Sequence, residues 1–267
     1  MTKFYLASDL HLEFGELRIE NTDNVDCLIL AGDVVEIDQL KKDGTTKKPY
    51  IAEFFKQINS DFKQVIWIPG NHEYYGCYFM QKAEEEAKNW LYVNSFDNIR
   101  FVNKETVMVG DIPVHCAALW TDMKNGNAWV GHQVQYALND YINIRGATLK
   151  RAGSKISTKD IEIIHKSHLA FLDSATSDQK KCVVVTHHQP TLRALNSRYV
   201  SDIDYAYASD LSDFFLERPQ IAVWCSGHIH ASMQQLDVGD QRFLTNCRGY
   251  HGHEEISRFF EPMLFEI

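Results

Sequence analysis

The stretch Lys3-Phe4-Tyr5-Leu6-Ala7-Ser8-Asp9-Leu10-His11 is an apolar, aromatic-containing run that ends on two side chains able to bind metal. Such a run is typical of a buried β-strand. Asp9 and His11 are two residues apart, so an extended chain would point both side chains to the same side. A carboxylate and an imidazole together suit a divalent metal ion. Asp-x-His is a short and common pattern that also fits a surface turn, so the later strands must decide.

The same arrangement, an apolar run followed by possible metal ligands, recurs four more times. The further runs are 26–31 before Asp33, 65–68 before Asn71 and His72, 182–186 before His187 and His188, and 221–226 before His228 and His230. Each has an ordinary explanation, such as a turn asparagine, a core histidine or a helix cap. Five apolar runs that all end in possible metal ligands are harder to explain separately. Open α/β sheets bind ligands beyond the carboxyl ends of their strands, which is where these side chains would lie.

These strand ends offer two carboxylates, four or five imidazoles and one amide oxygen. That is more than a single tetrahedral ion can use, so we predict two metal ions. Nitrogen and oxygen ligands without thiolates favour manganese, iron, cobalt, nickel or zinc over calcium and magnesium. Two such ions with a bridging carboxylate are the arrangement that clamps the attacking and leaving oxygens in phosphoryl transfer.

The chain of 267 residues, 45% of them hydrophobic, is long enough for one large α/β domain or two small ones. We see no repeat, low-complexity tract or linker, so we expect a single domain over residues 1–267. An irregular, cap-like excursion is predicted at about 119–157, where glycines interrupt the pattern. Short runs at 99–102, 106–109 and 112–118, and the segments after Met233, are predicted to be strands of a second sheet.

The formal net charge of −9 and the pI near 5.7 argue against broad binding to nucleic acid or to an anionic membrane. Bound metal ions would offset this charge locally, so a phosphate-bearing substrate is compatible with it. The first residues form no apolar signal core, and no apolar stretch is long enough to span a bilayer. Six scattered cysteines without C-x-x-C spacing indicate a reduced chain, and we expect a cytoplasmic protein. The oligomeric state cannot be inferred from these patterns.

Taken in order, the motifs resemble those of the calcineurin-like metallophosphoesterase superfamily. They are Asp9-x-His11, Gly32-Asp33, Gly70-Asn71-His72-Glu73, His187 and Gly227-His228-x-His230. The chain also resembles a bacterial and phage-type subgroup of predicted phosphohydrolases, through Leu119-Trp120-Thr121-Asp122, Asn139-Asp140-Tyr141, Thr186-His187-His188 and Arg248-Gly249-Tyr250. The resemblance implies an α/β fold of the four-layer αββα sandwich type. Two mixed β-sheets would be flanked by helices, with the metal pair at the strand ends.

The resemblance also implies which residues would bind the metals. One ion would be held by Asp9, His11, Asp33 and His230, and the other by Asp33, Asn71, His187 and His228. Asp33 would then bridge the two ions. Either His187 or His188 satisfies the pattern, and we favour His187 because it directly follows the strand. Manganese is our first choice of metal, with iron, zinc, cobalt or nickel as alternatives.

The implied activity is that of a metal-dependent phosphohydrolase, either a phosphatase or a phosphodiesterase. A hydroxide bridging the metals would attack phosphorus, and His72 would act as general acid at the leaving oxygen, with Asp33 and Asn71 completing the catalytic set. The substrate would be a phosphomonoester or phosphodiester of a small molecule or nucleotide, since a fold does not choose the substrate. Tyr141, Arg145, Arg193 and Arg198 are candidate substrate contacts.

Two other readings remain to be weighed against hydrolysis of a small ester. One is a non-catalytic scaffold of the same fold that binds protein. Such relatives are expected to have lost ligands or the acid at His72, whereas every core position is filled here. The other is a nuclease of the superfamily, which would need a basic groove. The acidic balance of the chain counts against it.

Overall fold

The computed structural model describes residues 1–77, 79–146, 153–178, 180–195 and 199–267. Its strands are β1 (Lys3–Ala7), β2 (Cys27–Ala31), β3 (Val65–Ile68), β4 (Ile99–Phe101), β5 (Glu105–Val109), β6 (Ile112–Ala117), β7 (Cys182–Thr186), β8 (Ile221–Ser226), β9 (Gln234–Val238), β10 (Gln241–Thr245) and β11 (Met263–Glu266). They form two mixed sheets. The strand order is β11-β1-β2-β3-β4 in the first sheet and β5-β6-β7-β8-β10-β9 in the second.

The helices are α1 (Pro49–Asp61), α2 (Met80–Val93), α3 (Met123–Gly126), α4 (Ala128–Ala137), α5 (Asp140–Asn143), α6 (Thr158–Ala175) and α7 (Ser212–Leu216). Short 3-10 turns occur at Ile37–Gln39, His72–Tyr74, Leu192–Leu195, Ile203–Ala206 and Glu255–Phe259. α1 begins with Pro49, whose fixed φ suits a first helical position. α6 begins after Ser157, which forms a reciprocal capping box with Asp160.

Successive side chains along a strand point to opposite faces of the sheet, and in this way they contribute to different layers of the core. In β1, Phe4 and Leu6 pack between the two sheets against Val183 and Val185 of β7. The intervening Tyr5 instead faces the outer layer, in the same core cluster as the buried sides of α1 and α2. On the opposite face of the molecule, β7 and β8 pack against α6 and α7. The predicted α/β fold with two mixed sheets flanked by helices is therefore confirmed.

Two strands belong to a different sheet from the one predicted. β4 pairs in parallel with β3, and β11 pairs antiparallel with β1, so both are part of the first sheet. We predicted them in the second sheet. Both runs are short and partly apolar, and an alternating pattern of this kind is the same whichever sheet the strand joins. Strand pairing is a long-range property that the local pattern does not encode.

The topology brings the predicted strand ends to one edge of the sandwich. β1, β2 and β3 are parallel neighbours in the first sheet, and β7 and β8 are parallel neighbours in the second. The excursion predicted at 119–157 is partly helical in its described residues, because it contains α3, α4 and α5. Among the helices that the structure describes, none has the length and apolar character needed to cross a membrane.

Candidate metal centre

The predicted ligands meet at the edge where β1, β2, β3, β7 and β8 end. They form two groups whose ligand atoms lie within 4.8 Å of one another, namely Asp9 with His11 and His230, and Asp33 with His187 and His228. Asn71 joins the second group, because its Oδ1 lies 3.1 Å from Nε2 of His187. Residues separated by more than 200 positions in the chain are thus neighbours in space.

Asp33 lies between the two groups. Its Oδ2 is 3.8 Å from Nε2 of His11 in the first group and 3.4 Å from Nε2 of His187 in the second. Its Oδ1 accepts a hydrogen bond from the backbone N–H of His72 at 2.8 Å. One carboxylate oxygen therefore faces both sets of imidazoles, while the other is held by the backbone.

The ligand turns have an unusual backbone. Positive φ values occur at Asp9 (50°), His11 (44°), Asp33 (53°), His228 (71°) and His230 (47°). Residues other than glycine adopt this region rarely, and those that do cluster at functional sites. The extended conformation of β1 ends at Ala7, so tight turns, and not a continued strand, bring Asp9 and His11 to the same cluster.

Glycine makes room for two of these side chains. A Cβ on Gly70 would lie 2.2 Å from Oδ1 of Asp33, and a Cβ on Gly227 would lie 2.5 Å from Oδ2 of Asp9. Neither distance is compatible with a side chain. The glycines beside the ligands therefore allow the backbone to approach the carboxylates closely.

The donor atoms suit a pair of divalent ions. Nε2 of His228 is buried and has no hydrogen-bond partner among the described residues, although a buried imidazole nitrogen normally has one. Burial lowers the pKa of His228 well below its usual value, which favours the neutral form that binds metal. At His187, burial also lowers the pKa, but the carboxylate of Asp33 raises it to about 10. The site thus favours a positive charge beside Asp33.

His187 and His188 have different surroundings. Nε2 of His187 faces Asp33 and Asn71, and its Nδ1 is 2.9 Å from the carbonyl oxygen of Ala31. The ring of His188 instead packs against Trp120, with centroids 4.8 Å apart, and against His228 at 4.3 Å. Of the two histidines that the sequence offers, the structure places His187 in the group that contains Asp33.

Glu13, Glu73 and Glu254 also support the site, and no role was predicted for them from the sequence. Glu73 is fully buried and accepts hydrogen bonds from the backbone N–H groups of Asp33, Val34 and Gly70, at 2.7–2.9 Å. The indole N–H of Trp67 also donates to it at 3.0 Å. These bonds tie the turn after β2 to the turn after β3. Burial and the charge of Asp33 raise the pKa of Glu73 to about 7.

The other two carboxylates orient imidazoles. Oε1 of Glu13 is 3.0 Å from Nδ1 of His11, and Oε2 of Glu254 is 2.7 Å from Nδ1 of His230. Such contacts fix which ring nitrogen is free to face a metal. The spacing Asp9-x-His11-x-Glu13 was visible in the sequence, but Glu254 is 24 residues from His230 and leaves no local signal.

His72 lies beside both groups. Its Nδ1 is 3.5 Å from Oε1 of Glu13, and its ring stacks on Tyr75 with centroids 4.2 Å apart. Nε2 is 3.3 Å from the hydroxyl of Tyr250. Burial lowers the pKa of His72, but the carboxylates of Asp33 and Glu13 raise it to about 9. His72 is therefore able to carry a proton at neutral pH.

A cavity of about 540 Å³ opens onto the site and is lined by Asp33, Asn71, His72, His228 and His230. It is also lined by residues of the excursion at 119–157 and of the segment between β7 and β8, namely Ala137, Leu138, Asn139, Asp140, Leu195, Asp204 and Tyr207. The candidate contacts Tyr141, Arg145 and Arg193 do not line it, and Arg198 lies outside the described residues. Asp140 accepts hydrogen bonds from Asn71 at 2.8 Å and from Tyr75 at 2.6 Å, so the excursion also supports the site.

Comparison with known proteins places this arrangement in context. Uncharacterized protein L509 of Acanthamoeba polyphaga mimivirus is 25% identical over 272 residues, covering 93% of this chain and 91% of that protein. The crystal structure of the phosphopantetheinyl hydrolase PptH from Mycobacterium tuberculosis matches with a TM-score of 0.64 at 12% identity, covering 98% of this chain and 95% of that one. A dimetal phosphatase from Danio rerio matches with a TM-score of 0.52 at 12% identity, covering 91% and 86%. The two structures share the fold.

One family model matches the part of the sequence that contains all the turns with predicted metal ligands. This model, described as calcineurin-like phosphoesterase, matches residues 2–232, a span that contains every predicted ligand from Asp9 to His230. The match extends over most of the chain and agrees with the resemblance seen in the motifs. The chain belongs to the calcineurin-like phosphoesterase family.

Proposed function

We propose that this protein is a metal-dependent phosphohydrolase that cleaves a phosphomonoester or phosphodiester of a small molecule or nucleotide. The position of Asp33 carries the proposal, because one oxygen of this buried carboxylate faces two groups of imidazoles at the mouth of a cavity. Family membership supports it, as does Nε2 of His228, which has no hydrogen-bond partner in the part of the chain that the structure describes.

The residues that would hold the ions follow from the two groups. Asp9, His11, Asp33 and His230 would hold one ion, and Asp33, Asn71, His187 and His228 would hold the other. The site would suit two divalent transition metal ions, with manganese as first choice, which when bound would supply charge neutralisation for a phosphoryl group and a more acidic bound water. The carboxylates of Glu13 and Glu254 hold His11 and His230 in orientation.

His72 would supply the proton that the leaving oxygen needs. It lines the cavity, its backbone N–H donates to Asp33, and its ring stacks on Tyr75. The carboxylate of Glu13 beside Nδ1 stabilises the protonated ring. General acid catalysis of this kind typically contributes about 10²–10⁴-fold.

The non-catalytic scaffold and the nuclease receive less support. The predicted ligands lie together in adjacent groups, and Asp33, Asn71, His228 and His230 line one cavity with His72, which a scaffold does not require. Lysine and arginine are absent from the described residues that line the cavity, whereas a nuclease needs cations along its groove. We therefore propose a small phosphate ester, and neither nucleic acid nor membrane, as the partner.

The test is a paired assay of metal-stripped protein restored separately with Mn, Zn, Fe, Ni or Mg. One chromogenic phosphomonoester and one chromogenic phosphodiester are the substrates, and metal content is measured alongside. Asp33→Asn should lose both bound metal and turnover, because it weakens both groups at once. His72→Ala should keep the metal, and on a phosphate ester of an aliphatic alcohol, assayed as a third substrate, it should lose about 10²-fold or more in turnover, because that leaving oxygen needs a proton. Asp240→Asn, in an exposed turn, is the control.

Retention of full metal content and rate in Asp33→Asn would contradict the proposed site. A protein that binds no metal would favour the scaffold instead. Two bound metals per chain without turnover of either ester would indicate a narrower substrate.

A further inference from the structure

Tyr250 lies against both the ligand groups and the proposed acid. Its ring centroid is 4.4 Å from that of His11 and 4.7 Å from that of His230. Its hydroxyl oxygen is 3.3 Å from Nε2 of His72, and the residue lines the cavity. The phenol therefore stands next to the nitrogen through which His72 would deliver a proton.

The backbone holds Tyr250 in this position. The N–H groups of Arg248 and Gly249 donate to the carbonyl oxygens of Ser8 and Asp9, each at 3.0 Å. The N–H of Tyr250 donates to Oε2 of Glu254 at 3.0 Å. Tyr250 is thus fixed to the same turn that carries Asp9, so its position relative to the ligands is set before any substrate binds.

Arg248 strengthens this attachment. Its guanidinium is buried and donates to the carbonyl oxygens of Leu10, Gly15 and Glu16, at 2.7–3.0 Å. These three hydrogen bonds tie the loop after β1 to the segment before Tyr250. The attachment explains how the Arg248-Gly249-Tyr250 motif can act on the site although it is distant from Asp9 in sequence.

The hydrogen-bonding capacity of a phenol fits a role between His72 and substrate. A tyrosine hydroxyl has one proton to donate and can accept hydrogen bonds at its oxygen. If Nε2–H of His72 donates to this oxygen, the hydroxyl proton of Tyr250 is free to point into the cavity. His72 then has no need to reach the leaving oxygen itself.

We propose that Tyr250 is a further catalytic residue, whose hydroxyl donates the proton to the leaving oxygen and is then reprotonated by His72. This inference rests on the proposed phosphohydrolase function. As the bond between phosphorus and the leaving oxygen breaks, its electron pair stays on that oxygen, which takes the proton of Tyr250. The Nε2 proton of His72 then replaces it on the phenol oxygen, so Tyr250 ends the step neutral.

The dependence on the leaving group tests this assignment. In metal-loaded protein, Tyr250→Phe should lower kcat about 10²-fold on a phosphate ester of an aliphatic alcohol, whose alkoxide needs a proton to leave. On a nitrophenyl phosphate, a chromogenic ester whose phenolate leaves without a proton, the change should stay within about twofold. Tyr92→Phe removes the same hydroxyl from an exposed position on α2 and should change neither rate.

Two measurements separate a catalytic role from a structural one. Metal content and the denaturant midpoint of Tyr250→Phe should match those of the wild type. Imidazole ¹⁵N NMR of the metal-stripped protein should show a shift of the His72 Nε2 signal in Tyr250→Phe and none in Tyr92→Phe. Equal rate losses on both esters, no loss on either, lost metal or an unmoved Nε2 signal would each overturn the inference. A wild type that bound no metal and cleaved neither ester would instead overturn the proposed function, a result distinct from these four.

Discussion

At positions beside the metal ligands, the space available limits which side chain can be accommodated, in addition to the chemistry of the site. Gly32 precedes Asp33 with φ of +88°, and a Cβ at this position would lie 2.4 Å from Nδ1 of His187. The same Nδ1 lies 2.9 Å from the carbonyl oxygen of Ala31. Any side chain at position 32 would therefore push His187 away from both Ala31 and Asp33.

Gly32→Ala should accordingly destabilise the protein and weaken metal binding. Gly239→Ala is a matched control, because Gly239 also has positive φ (+61°) but no atom near its Cβ position. We expect a loss of about 1 kcal/mol in the free energy of unfolding for the control, from the backbone conformation alone. Gly32→Ala should lose about 2–4 kcal/mol, since overpacking adds to it. Denaturant unfolding and metal titration would measure both effects, and equal behaviour of the two variants would contradict the crowding at His187.

At the scale of elements, α6 is attached to the second sheet by histidine as well as by apolar contacts. His168 is buried on this helix, and its Nδ1 accepts a hydrogen bond from the backbone N–H of Leu119, after β6, at 3.1 Å. Burial lowers the pKa of His168 from 6.5 to about 3, with the positive charge of Lys104 adding to the effect. The residue is therefore neutral in the folded protein over the whole physiological range.

This histidine should make the fold sensitive to acid. The unfolded chain takes up a proton at His168 as the pH falls through 6.5, whereas the native state does not, so stability is present above pH 6.5 and lost below it. Between about pH 7.5 and pH 5 the loss should reach about 2 kcal/mol. His168→Asn keeps an acceptor for Leu119 and should remove that part of the pH dependence, while His132→Asn, at an exposed site on α4, should not. Identical pH dependence of the wild type and His168→Asn in denaturant unfolding would show the prediction to be wrong.

At the scale of the whole molecule, the cavity has an acidic wall. Asp140, Asp204 and Glu254 line it, and among the described lining residues the imidazoles are the only basic groups. Asp204 comes from the segment between β7 and β8, and Glu254 comes from the C-terminal part of the chain. The charge pattern is therefore assembled from distant segments. The proposed metals would bind the phosphate, and the wall would meet the rest of the substrate.

We therefore expect selection by the charge of the leaving group. The phosphate ester of an amino alcohol should be cleaved with higher kcat/KM than an ester of similar size that carries a carboxylate, by about fivefold at low salt. Asp204→Asn should reduce this ratio, and Asp240→Asn should not. Because exposed charges are screened by salt, the ratio should fall as ionic strength rises. A ratio near one at low salt, or one that salt does not change, would count against an electrostatic wall.

Sequence reasoning succeeded where the signal was local. The strands before Asp33, Asn71 and His187 alternate between buried faces and end on polar groups, so both their existence and their terminal side chains could be predicted. It failed for β4 and β11, whose sheet membership depends on pairing with distant strands. The roles of the individual metal ligands and the single-domain organisation stay predictions.

The sequence by itself determined the types of side chain that meet at the strand ends, because apolar runs and the residues after them are written along the chain. The order of its motifs indicated the family, and the sandwich fold followed from that resemblance. Only the tertiary structure decided that His187, and not His188, faces Asp33, and that Glu254 and Tyr250 contact the imidazoles. These contacts depend on left-handed turns and on segments joined by backbone hydrogen bonds across more than 200 residues. Relations of that kind arise from packing between distant elements, and no local pattern carries them.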